Sequence, residues 1–70
     1  MAILKVIELL AESDKNWEDA AQNAVQKASK TLKNIRSVYI KDHSATVSGG
    51  KITKYRVTVK VTFEVDEAIH

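Results

Sequence analysis

The segment KYRVTVKVTFEV, residues 54–65, carries an apolar side chain at every second position: Tyr55, Val57, Val59, Val61, Phe63 and Val65. Arg56, Thr58, Lys60, Thr62 and Glu64 alternate with them. Period-two alternation of this length describes a β-strand with one dry face and one wet face. The chain has only 70 residues in which to cover the dry face. A domain of that size buries roughly 60% of its unfolded surface and is marginal alone. It has no cysteine, so neither a disulfide nor a cysteine-based zinc site can support it. Only His43 and His70 can offer imidazole. Association of several copies is the expected support.

The rest of the chain supplies what the strand needs. Residues 3–11, ILKVIELLA, are short, leucine-rich and β-branched, and predict a first strand. Leu9 and Leu10 break its alternation, so one of them is expected to be covered by another subunit. The stretch SDKNWEDAAQNAVQKASKTLKN predicts a helix of about 18 residues, spanning roughly 27 Å. Asn16 is the expected N-cap with Asp19 three residues on, and Ser13 is the competing cap one turn earlier. Glu18 and Asp19 lie toward the positive end of the helix dipole, and Lys27, Lys30 and Lys33 toward the negative end. Trp17, Ala20, Ala21, Ala24, Val25, Ala28 and Leu32 share one face at helical spacing. Alanine dominates that face, which permits close approach to a sheet but buries little area per residue.

Asn34 is expected to end the helix in a left-handed conformation. IRSVYIKDHSATV then predicts a second strand over residues 35–47, and Gly49–Gly50 in SGGK a tight hairpin turn into the third. The expected fold is α+β: a single β-α-β-β domain over residues 1–70, with a three-stranded antiparallel sheet packed on one helix. One helix leaves the ends of the long hairpin uncovered, and these are expected to be subunit contacts.

Several functions find no support in the composition. Eleven basic against nine acidic residues give a net charge of +2, too small and too dispersed for a nucleic-acid interface. The apolar N-terminal run is interrupted by Lys5 and Glu8 and lacks the features of a signal peptide. No stretch approaches a membrane span. There is no cysteine nucleophile, no phosphate-binding loop and no acid pair at a catalytic spacing; SGGK sits in a hairpin and lacks the full P-loop pattern. A binding protein of the cytoplasm, rather than an enzyme, is expected.

In order and spacing, LKVIELLAES, WEDAAQNAVQKASKTLKNI and KYRVTVKVTFEVD resemble the dodecins, and the resemblance covers nearly the whole chain. It implies a hollow homododecamer and a storage or sequestration role, with flavin (riboflavin or FMN) as the default ligand; the alternatives are a cage that binds a cation such as calcium or another small ligand, and a purely structural interaction module. Flavin-binding dodecins stack the isoalloxazine on a tryptophan early in the second strand and hydrogen-bond it through a glutamine in the third. The matching positions here are Ser37 and Arg56. Serine cannot stack, and arginine donates hydrogen bonds but accepts none. The sole tryptophan, Trp17, stands at the helix start instead. This combination is similar to a distinct branch in which a helix-start tryptophan accompanies loss of the flavin pair.

The candidate ligand-binding residues are therefore Ser37, Tyr39 and Arg56. Tyr39 lies two residues beyond Ser37, on the same strand face, and is placed to stack on a ligand. Trp17 is either a ligand platform or an anchor in the core or an interface. Arg56 and Lys60 either bind an anion or form a salt-bridged strand face. Asp42 matches a position where some dodecins carry an acid near ligand and ion sites, and is the candidate metal residue. Asp42 and His43 are adjacent in a strand and point to opposite faces, so they cannot chelate one ion together. In a symmetric cage, copies of Asp42 or of Glu64 can form a carboxylate ring suited to Ca²⁺ or Mg²⁺. The wet face of the third strand is expected to meet a symmetry-related copy and help line the ligand cleft.

Overall fold

A computed structural model describes residues 2–65. Four elements follow in the expected order: β1 (Leu4–Ser13), α1 (Trp17–Ala28), β2 (Ile35–Ser48) and β3 (Lys51–Glu64). The strands form one antiparallel sheet in the order β1-β3-β2. The alternating strand is thus the central one, and α1 lies across its dry face. Val57, Val59 and Val61 are buried there against Ala20 and Ala24, with Ile7, Leu9, Ala11, Ala21 and Ile35 packed around them. Strand pairing builds this inner face row by row. Ile7, Leu9 and Ala11 flank Val61, Val59 and Val57 on one side. Val38, Ile40 and His43 flank the same valines on the other.

The helix starts where its cap predicts. The Asn16 side chain accepts from the Asp19 backbone N–H at 2.7 Å. Ser13 is not the cap: it closes β1, donates to Asp19 Oδ2 at 2.6 Å and accepts from Lys15 N at 2.9 Å. One serine therefore ties the end of the strand to the first turn of the helix.

The helix is shorter than the sequence predicts, with 12 residues rather than about 18. Hydroxyl side chains that bond back to the preceding turn compete with helix continuation. Ser29 Oγ donates to the Val25 carbonyl at 2.8 Å. Lys30 and Thr31 then tighten the chain with bonds to the carbonyls of Lys27 and Ala28. Asn34 does adopt a left-handed conformation, φ 61°, but it opens β2 rather than closing α1. Its carbonyl accepts from Glu64 N at 3.0 Å and fixes the start of the sheet. Gly49 and Gly50 make the two-residue hairpin turn with φ of 58° and 75°, the left-handed pair such a turn requires.

The subunit does not enclose itself. Its radius of gyration is 14.5 Å, against about 11 Å for a compact chain of this length. Among the described residues the buried apolar side chains are three alanines and three valines. The helix lies over β1 and β3 and leaves the inner side of β2 open, with Val38 and Ile40 exposed. No secondary structure covers the opposite, outer face of the sheet among the described residues. Leu4, Val6 and Leu10 stand exposed there; Leu10 is the residue that broke the alternation of β1.

Candidate functional site

The outer face carries Ser37, Tyr39, Asp42 and Arg56, while the other candidate platform, Trp17, lies on the helix side. Ser37 pairs with Thr62, Tyr39 with Lys60 and Asp42 with Thr58. These three residues form one strip along β2. Arg56 stands on the same face, opposite Ser44 and Glu12. Thr62 stands six positions further along β3, about 20 Å of strand. One subunit therefore groups Ser37, Tyr39 and Asp42 and sets Arg56 apart from Ser37.

A bulge decides where Asp42 points. Period two from Tyr39 would put Asp42 on the opposite face. Lys41 is an extra residue between Ile40, paired with Val59, and Asp42, paired with Thr58. A bulge re-aims the side chains that follow it, so Asp42 joins Ser37 and Tyr39 on the outer face. His43 then points inward beside Val57. The expectation that Asp42 and His43 point apart holds, and the bulge selects which of them faces outward.

Charges on this face are mostly paired across strands. Glu64 accepts from Arg36 Nε at 3.1 Å and from its terminal nitrogen at 2.8 Å. Glu8 lies 3.6 Å from Lys41 Nζ, and Asp14 lies 3.0 Å from Lys54 Nζ. Glu12 pairs with Arg56 Nε. The Asp14 carboxylate, by hydrogen bond and by charge, holds the Lys54 ammonium above the usual lysine pKa. Among the described residues, Asp42 is the one acid of the outer face with no cationic partner within ion-pairing distance. Glu64, the other candidate for a carboxylate ring, is occupied by Arg36, and the guanidinium of Arg56 is occupied by Glu12.

Tyr39 is 63% exposed and stands between the rows of Ser37 and Asp42. By register the hydroxyl residues beside Asp42 on this face are Thr58, its partner across the strands, and Ser44, two residues along β2. No group of three or more histidines and acids able to hold a metal occurs among the described residues. A cation at Asp42 must therefore draw further oxygens from other copies or from water.

Trp17 lies on the other side of the sheet and takes no part in this strip. Its indole Nε1 donates to the Ser44 carbonyl at 2.8 Å. Its ring meets His43 and Tyr55 edge to face, with centroids 5.3 and 4.9 Å away. This cluster ties the first turn of α1 to β2, which the helix otherwise barely touches. Nothing in the one-dimensional pattern pairs residue 17 with residue 44. The hint was a large aromatic with one polar atom at the start of a helix otherwise lined with alanine. His70 lies outside the described residues.

Comparison with known proteins gives one family. The Dodecin family model matches residues 3–66. A calcium dodecin of Mycobacterium tuberculosis is 38% identical over 69 residues, covering 97% of this chain and 96% of that protein. A dodecin of Thermus thermophilus is 29% identical over 65 residues, covering 93% and 94%. A crystal structure of an arginine-to-alanine mutant of the T. thermophilus dodecin superposes with a TM-score of 0.91 at 28% identity, over 96% of this chain and all of that one. The crystal structure of the calcium-chelating M. tuberculosis protein, which has a calcium-binding site, superposes at 0.80 with 32% identity, over 97% of both chains. No helix among the described residues is long and apolar enough to cross a membrane.

Proposed function

The chain belongs to the dodecin family, and from that premise we propose that it is a homododecameric small-ligand-binding and buffering protein of the cytoplasm, holding a divalent cation such as calcium at Asp42. The observation that carries this reading is the unpaired carboxylate of Asp42, turned onto the open face by the bulge at Lys41. Hard cations take oxygen ligands, and a carboxylate without a cationic neighbour is the side chain best suited to begin such a site. One copy supplies too few donors. Symmetry supplies the same carboxylate again at each related subunit, so the site is complete only in the assembly. The calcium-binding M. tuberculosis relative supports the choice of cation. The incomplete enclosure of the subunit supports the oligomer. The role is binding rather than catalysis.

The test is thermal unfolding of the assembled protein with calcium and with EDTA. A ligand that binds only the folded assembly raises its melting temperature, by an amount that grows with the logarithm of ligand concentration once this exceeds the dissociation constant. Calcium is expected to raise the midpoint, EDTA to lower it, and Asp42→Asn to abolish the difference. Identical midpoints in calcium and EDTA would remove the cation from the account.

A second reading rests on Tyr39. It is the exposed aromatic of the outer face, one step along the strand from Ser37. Stacking on an aromatic ring is worth roughly 1–3 kcal/mol per ring, which Tyr39 offers to riboflavin or FMN where Ser37 does not. Saturable quenching of flavin fluorescence and comigration of flavin with the assembly, both lost in Tyr39→Ala, support this reading. Failure of comigration removes flavin.

A further inference from the structure

On the helix side of the sheet a cleft of about 580 Å³ lies between α1 and β1. Ile7 and Leu9 line it from β1, Ala24 and Ala28 from α1, and Leu32 from the turn beyond. Lys27 and Lys30 border it. Neither lysine has a carboxylate within ion-pairing distance among the described residues. The one acid that borders the cleft, Glu12, is already paired with Arg56. The cleft is therefore an apolar trough with two uncompensated ammonium groups at its margin. Ile7 and Glu12 mark its extent along β1, about 17 Å of extended chain. The cleft is open to solvent along its length, so it can cover one side of an alkyl chain, and a few placed polar groups set the orientation of such a ligand.

We propose that this cleft binds a single-chain anionic amphiphile, with the alkyl chain along Ile7, Leu9 and Leu32 and the carboxylate or phosphate head at Lys27 and Lys30. Lysine is a compact point charge and receives either head group. Charge complementarity sets the occupant: two ammonium groups without ion-pair partners at the rim of an apolar trough call for an anionic head joined to an alkyl chain. The cleft opens at the β1 edge of the sheet, where Leu10 and Glu12 of the outer face also line it, whereas Asp42 stands on β2 beyond the central strand and does not line it.

The experiment is a titration of dansylaminoundecanoate into protein shown by sedimentation to be assembled. Saturable binding with enhanced, blue-shifted emission is expected. Dodecanoate and dodecyl phosphate then compete, the more potent of them identifying the head group, while dodecyltrimethylammonium does not. The double variant K27E/K30E alters exposed side chains only and is expected to weaken binding about tenfold. Thr31→Trp, which fills the trough from its rim, is expected to abolish it. The proposal is overturned by absence of saturable binding to the assembled protein, by equal competition from the cationic amphiphile, or by affinity unchanged in both variants. The first of these is also the result expected if a neighbouring subunit covers the cleft.

Discussion

Replacing Trp17 tests how the helix is held to the sheet. The helix packs its alanine face on β1 and β3, and its link to β2 is the side chain of Trp17. Two terms are separable. The hydrogen bond from Nε1 to the Ser44 carbonyl joins two neutral groups at a partly exposed site, which puts it at about 0.5–1 kcal/mol. The edge-to-face contacts with His43 and Tyr55 are worth about 0.5–1.5 kcal/mol each beyond the area they bury. Trp17→Phe keeps an aromatic ring in place and removes the donor, so the expected loss is about 1 kcal/mol. Trp17→Ala removes both terms and most of the buried area. A fully buried Trp→Ala change costs roughly 3–5 kcal/mol, and with the side chain 36% exposed the expected loss is about 3 kcal/mol. The assay is denaturant unfolding followed by far-ultraviolet circular dichroism, because the variants lack the fluorophore. Protomer concentration is held constant, since association contributes to the apparent stability. A loss below about 0.5 kcal/mol for Trp17→Ala would refute the anchoring role. Equal losses for the two variants would show that the hydrogen bond, and not the aromatic cluster, does the holding.

Other consequences follow from single features of the fold. No atom lies within 4 Å of a Cβ built at Gly49 or Gly50, so alanine there meets only the backbone penalty, roughly 1–2 kcal/mol at either position; chemical denaturation measures it, and asparagine is expected to be tolerated better. Asn34 needs its left-handed φ to open β2, so Asn34→Gly is expected to be close to neutral and Asn34→Val destabilising by about 1–2 kcal/mol in the same assay. Lys54 has its pKa raised in the folded state by Asp14. Its contribution is therefore complete below the ordinary lysine pKa and is lost as pH rises through the folded-state value. A pH series of melting temperatures in the alkaline range should fall slightly less steeply for Lys54→Met than for the parent protein. Both groups are solvated, so the difference is expected to be small.

The sequence made the elements legible because their signals are local. The alternation from Tyr55 to Phe63 identifies the third strand and its buried face without reference to any other residue, whereas its central place in the sheet emerges only from the pairing. Asn16 and Asp19 locate the helix start by a contact three residues long. Gly49–Gly50 locates the turn for the same reason. What escaped depends on competition or on pairing between distant residues. The helix ends at Ala28 because Ser29 and Thr31 bond back onto it, and their helical spacing did not reveal that choice. The three register shifts of β2 against β3 lie in the pairing of two strands, so the direction of Asp42 could not be read from period two. Ion pairs behave alike: Glu12 with Arg56 is a contact between residues 44 apart, and it redefines Arg56 from an available ligand group to one already engaged. Trp17 and Ser44 are 27 residues apart.

Native mass spectrometry of the calcium-equilibrated protein, beside its Asp42→Asn variant, tests the central claim most directly. It reads the number of chains and the number of bound ions in one spectrum. The account predicts twelve chains with discrete calcium adducts for the parent protein, and twelve chains without them for the variant. A folded monomer at micromolar concentration would contradict the assembly. Calcium adducts retained by the Asp42→Asn dodecamer would contradict the site.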